Sequence, residues 1–407
     1  MATLIKGKGL INGRGNTIEE AAIVMEGDRI TAVGRQADMT SMDGITSVID
    51  AGDKTIMPGL VDAHVHLVNT GGAFSARDAR TATSEQMMIV AVKNAFLAIR
   101  AGLTTVRDLG GKGFLTVNVR DAIEDGVIPG PRVVSCAAAI TTTGGQSHYK
   151  SMEADTPDEM KKAVRALIKG GADCIKIFGS GGHATPGSNP LASQYTLEEF
   201  RAATEEAHRV GKLVAAHVHP TSGIKLAVAA GIDCLEHCSW LSPSGVSVDQ
   251  NVLEDIIQRE TFISIGFPAS WYRVPLDEIQ DVMDQSGREA LIQPRYDSIR
   301  QMYESRAKVV ASSDAGSTST RIDELALLLE FLVNQLNITA MQVIVSVTSL
   351  AADAVGLGDV TGSLEVGKKA DIILVDGDPI ADITALQRVD TVVKDGQVVV
   401  QRGQVLV

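Results

Sequence analysis

Through the middle of the chain an apolar run, a glycine-containing loop and an amphipathic stretch follow one another repeatedly. Eight of the runs read as strands: "GLVDAHVH", "LTTVRD", "RVVSCAAAI", "DCIKIFG", "KLVAAHVH", "DCLEHC", "TFISIGF" and "KVVASSDAG". Helical stretches separate most of them; "TLEEFRAATEEAHRVG", for example, carries carboxylates near its start and glycine at its end, as caps require. Eight strands alternating with helices predict an α/β fold, a (β/α)8 TIM barrel. A doubly wound open sheet shares the alternation, but no GxGxxG turn follows the first strand.

The two ends of the chain have another grammar. "AAIVMEGDRITAVG" and "TSVIDAGDKTIMPG" near the start, and "GSLEVGKKADIILVDGDP" and "VDTVVKDGQVVVQRGQVLV" near the end, are short alternating segments punctuated by Gly and Asp. Residues 1–57 and 361–407 are expected to pair into one small β-sandwich domain beside a barrel over residues 58–360.

At 407 residues and 44% hydrophobic content the chain can bury one barrel-sized core and a smaller satellite. A formal net charge of −13 would repel phosphate backbones at long range, which argues against nucleic acid as a partner. The start lacks the continuous apolar stretch of a secretory signal, and no segment supplies the roughly 18 uninterrupted apolar residues of a membrane span. A soluble, cytoplasmic protein without a membrane partner is expected. Cys136, Cys174, Cys234 and Cys238 are too few and too scattered for a disulfide framework. The CxxxC pair of Cys234 and Cys238 has no second pair, and reads as buried thiols more readily than as metal ligands.

Polar residues gather at the C-terminal ends of the strands, where a barrel carries its active site. His64 and His66 close the first strand, and a period of two puts both imidazoles on one face, within reach of one metal ion. His217, His237 and Asp314 stand at the same end of three other strands. Lys176 lies inside the apolar fourth strand, where an unpaired ammonium is costly. It either pairs with a carboxylate such as Asp314 or, desolvated and neutral, takes up carbon dioxide as a carbamate whose two oxygens can bridge two divalent ions. Asp314 suits a ligand and a general base; its plainer role would be to cap the following turn.

The motifs "PGLVDAHVHL", "ADCIKIFGSGG", "LVAAHVH", "IDCLEHCSW" and "ASSDAGS", in this order and approximate spacing, resemble the amidohydrolase superfamily. The likeness is to its imidazolonepropionase-like branch, with metal-dependent Xaa-Pro dipeptidases and carboxypeptidases, and it spans nearly the whole chain. The resemblance implies that His64, His66 and Asp314 bind one divalent ion and His217 and His237 a second, with Lys176 as an N6-carboxylysine bridge. It implies attack on an amide carbonyl by a hydroxide between the ions, while Asp314 moves the proton to the leaving nitrogen. Zinc fits these ligands, as do cobalt and manganese. The implied substrates are small amides, dipeptides or N-acyl amino acids, and the implied assembly is a homo-oligomer.

Two places depart from the family pattern. After the third strand many relatives have Gly-Gly-His, whereas "TTTGGQSHYK" has Gln146 there and a histidine only at His148; two residues after the fifth-strand ligand, where a tyrosine is frequent, stands His219. His148 and His219 are candidates for polarising the carbonyl or binding a substrate carboxylate, or are surface loop residues. The segment "FGSGGHATPGSNPLASQYT" lacks the GK[ST] of a phosphate loop and reads as a mobile cover over the substrate, with His183 facing solvent. In "GFPASWYRV", Trp271, Tyr272 and Arg273 either pack on the rim or wall the pocket, with Tyr272 contacting substrate and Arg273 placed for a carboxylate. Hydrolysis of xenobiotic amides, carbamates or ureas is the near alternative. A deaminase is disfavoured, because Lys176 is present and "AAHVHPTSG" has no Glu to shuttle protons.

Overall fold

The computed structural model describes residues 2–39, 44–72, 79–183, 185–269, 272, 285–317 and 319–406, with the backbone alone at 285–289. All eight expected barrel strands form: Leu60–Val65, Leu103–Asp108, Arg132–Ser135, Ile175–Phe178, Val214–Pro220, Cys234–Ser242, Phe262–Ser264 and Lys308–Val310. Neighbouring strands are parallel, and each is apolar because both faces are covered. The ring closes where Asp173 N donates to Ser135 O at 2.7 Å, and where His66 N donates to Ala315 O at 2.7 Å. These closures join the third strand to the fourth and the eighth to the first.

Intervening helices start where side chains satisfy free backbone N–H groups. Thr156 with Glu159, and Thr196 with Glu199, form reciprocal capping boxes ahead of Pro157–Lys169 and Leu197–His208. One expected strand is interrupted. "RVVSCAAAI" stops at Ser135, whose Oγ accepts from Ala137 N at 3.0 Å, and pairing resumes only at Ile140–Thr141. Ala137 takes a φ of 60°, and this local side-chain bond replaces the ladder there.

Strands from both chain ends share one nine-stranded mixed sheet. Thr55–Pro58 runs parallel to Ala2–Ile11 on one side and antiparallel to Ile372–Val375 on the other, then leads through Gly59 into the first barrel strand. Arg132 ties this sheet to the barrel, with its two Nη atoms each 2.6 Å from a carboxylate, Asp371 and Asp395. The four cysteines are buried and unbridged. Among the described residues no helix is long and apolar enough to cross a membrane.

Candidate active site

Because every barrel strand points the same way, the polar residues at their C-terminal ends meet in one cleft. His64 and His66, separated by one residue on the first strand and its end, direct Nε2 toward Asp314 Oδ1 at 3.4 and 3.3 Å. Asp314 reaches them in a left-handed backbone conformation, φ 52°, a strained geometry concentrated at functional sites. Gly316, two residues on, has a φ of 87°, and a Cβ there would stand 2.2 Å from the His66 carbonyl oxygen.

Beside them, with the His237 ring 5.1 Å from that of His64, His217, His219 and His237 form a second group, and the candidate ligand atoms within each group all lie within 4.8 Å of one another. His237 also adopts a left-handed conformation, φ 68°. That twist lets consecutive residues, Glu236 and His237, both serve the site although a regular strand would send them to opposite faces. His237 Nδ1 sits 2.9 Å from Gly266 O, so that Nδ1 carries the hydrogen and Nε2 keeps its lone pair. Gly266 is required: a Cβ there would lie 2.8 Å from the His237 ring.

Two buried features support these groups. Lys176 is 0% exposed, and among the described residues its Nζ has no hydrogen-bond partner. Burial lowers its pKa, and the carboxylates of Glu236 and Asp314 counteract this only in part. Below the first strand, Arg107 Nη2 stands 2.7 Å from Glu236 Oε1 while Glu236 Oε2 stands 2.8 Å from His64 Nδ1. At that distance the atoms are close enough for the Glu236 charge to act on His64, but they do not form a hydrogen bond.

Burial, reinforced by neighbouring rings and cations, drives His64, His217, His219 and His237 well below the ordinary imidazole range. They are neutral, the form that ligates metal. For Asp314 burial alone would raise the carboxyl, but side-chain hydrogen bonds from His66 and Ser317 help to hold it below its usual value. Neutral imidazoles, an ionised carboxylate and an unpartnered buried amine are a donor set suited to two divalent cations.

Other expected positions fare differently. His219 lines the cleft, with Nδ1 2.8 Å from Ser239 Oγ. His148 is exposed and outside the lining, because the turn after the third strand instead brings Gln146, Ser147, Tyr149 and Lys150 inward. That turn runs through Ser147 with a φ of 54°. Tyr272 is half-buried and stacks on Phe331 with centroids 4.9 Å apart, so its ring braces the rim and is absent from the lining. Arg273 and Trp271 lie outside the described residues. His183, expected to face solvent, is half-buried in the lining, its ring 5.3 Å from that of His219.

Sequence reasoning missed Arg295. It lines the cleft at 4% exposure on the helix Gln285–Glu304, and burial lowers its pKa to about 10. Only its place four residues after Leu291, on the helix face that enters the cleft, distinguishes it from a surface arginine.

The model of the amidohydrolase family matches residues 55–399. An ochratoxinase from Aspergillus niger is 28% identical over 419 residues, covering 95% of this chain and 83% of the relative. An imidazolonepropionase from Fusobacterium nucleatum subsp. nucleatum is 24% identical, covering 93% and 91%. The crystal structure of a Xaa-Pro dipeptidase with methionine bound in its active site superposes with a TM-score of 0.87 at 29% identity, covering 98% of this chain and 99% of that one.

Proposed function

Because the chain belongs to the amidohydrolase family, metal-dependent hydrolases acting on C–N bonds, we propose that it cleaves the amide bond of a dipeptide or N-acyl amino acid at a centre of two divalent ions. The observation that carries this reading is a pair of adjacent donor groups in a cleft whose fourth strand holds a buried amine with no hydrogen-bond partner among the described residues. His64, His66 and Asp314 would hold one ion; His217 and His237 would hold the other. Lys176 would join them as a carbamate, its neutral Nζ lone pair adding to the carbon of carbon dioxide while the nitrogen gives up one proton to water.

Bound ions of this kind acidify water and polarise a carbonyl. The protein supplies the rest. Asp314 Oδ1 faces both histidine nitrogens, so Oδ2 is left to take the proton of the attacking water and return it to the leaving nitrogen as the C–N bond breaks. His219, anchored through Nδ1 to Ser239, offers Nε2 to the carbonyl oxygen as negative charge develops on it. Arg107 holds the Glu236 carboxylate, and so its negative charge, beside His64. Likeness to a Xaa-Pro dipeptidase with methionine bound in its active site favours a substrate that releases an amino acid.

Removing metal with a chelator and restoring it tests the reading. Hydrolysis of a panel of dipeptides and N-acyl amino acids should vanish in the stripped protein and return as about two equivalents of zinc are added. Full activity without metal, or a fully loaded protein that cleaves nothing in the panel, would contradict it.

A further inference from the structure

The cleft contains a cation that the hydrolytic centre does not use. The guanidinium of Arg295 donates from Nη2 to His237 O at 2.6 Å and from Nη1 to Cys238 O at 3.1 Å and to Ser298 Oγ at 3.3 Å. Its carbon stands 5.8 Å from the centre of the Phe267 ring. All these partners are neutral, and no carboxylate among the described residues pairs with it. Lys150, the other basic side chain of the lining, feels the charges of Asp108 and Asp314 and donates to Gly110 O at 2.8 Å. A buried guanidinium without a counter-charge is costly, and its planar fork matches a carboxylate.

We infer that Arg295 anchors a free α-carboxylate on the amine half of the substrate, so that the enzyme selects N-acyl or aminoacyl derivatives of apolar amino acids over the same compounds with the carboxylate blocked. This rests on the amide-hydrolase reading above. The two carbonyls that Arg295 grips fix the plane of its fork. One of them belongs to His237, so a carboxylate held there lies beside the centre. That is where the α-carboxylate of a leaving amino acid must lie, since one carbon separates it from the scissile nitrogen. Leu291, one helical turn before Arg295, joins Leu241, Val246 and Phe267 in an apolar wall for the side chain.

The test uses metal-loaded protein and N-acetyl and glycyl derivatives of leucine, phenylalanine, methionine and proline, each as the free acid and as the carboxamide. Wild type should favour the acids by about a hundredfold in kcat/KM, because a site built for a charged group rejects an analogue lacking it. In R295M that ratio should collapse toward unity, mainly through KM, with R295K retaining part of it; in K150M it should persist. Metal content and melting temperature, measured on each variant, separate loss of the anchor from displacement of His237. Equal cleavage of acids and carboxamides by wild type, or an acid preference that survives R295M or disappears in K150M, would overturn the anchor while leaving the hydrolase reading intact. Failure of loaded wild type on both series would overturn the hydrolase reading, and the anchor with it.

Discussion

Glu236 sets the electrostatic ground of the centre one residue at a time. Its two oxygens divide between Arg107 and His64, and all three side chains are at most 1% exposed. Replacing Glu236 with Gln keeps the shape but leaves the Arg107 guanidinium buried without its counter-charge and His64 without its carboxylate. E236Q should lose about 3–5 kcal/mol of stability by chemical denaturation, and about 10–100-fold in metal affinity by competition titration. Retention of both would mean that His64 is oriented by the backbone alone. The histidines and Asp314 were legible in the sequence because imidazoles and a carboxylate at the ends of apolar strands are costly unless they do something there. Arg295 was not, since its neighbours in "QPRYDSIRQ" give an ordinary amphipathic helix, and only tertiary packing turns that face into the cleft.

At the scale of elements, the eight strands were legible because each is buried on both sides and so reads as an unbroken apolar run. The gap after Ser135 was not: alanines at 137–139 suit a strand as well as a turn, and one side-chain bond from Ser135 decides between them. The seam between end sheet and barrel was equally hidden, because Arg132 and its partners are far apart in sequence. Asp395 in that seam is held at about 2: burial opposes this, but Arg132, Lys394 and Lys369 together outweigh it. A carboxyl depressed below its unfolded value of about 3.9 stabilises the fold above that pH and loses the contribution as pH falls toward 2. D395N should therefore lower stability by about 1–2 kcal/mol at neutral pH, after solvent screening, and flatten the fall in melting temperature between about pH 5 and 2. An unchanged acid limb would mean that Asp371 alone carries the seam.

For the whole molecule, the parallel ring explains how residues from His64 to Asp314 come together: each strand delivers its last side chains to the same rim, and the helices between them return the chain to the start. The central claim is that Lys176 joins two ions into one centre, and elemental analysis of metal per chain tests it most directly. Wild type and Lys176→Ala would be prepared with added zinc and bicarbonate, with melting curves to establish that both are folded. The bridged centre predicts about two ions per wild-type chain, and one or fewer in Lys176→Ala with amide cleavage lost. A folded Lys176→Ala protein that keeps both ions and its activity would contradict the bridge.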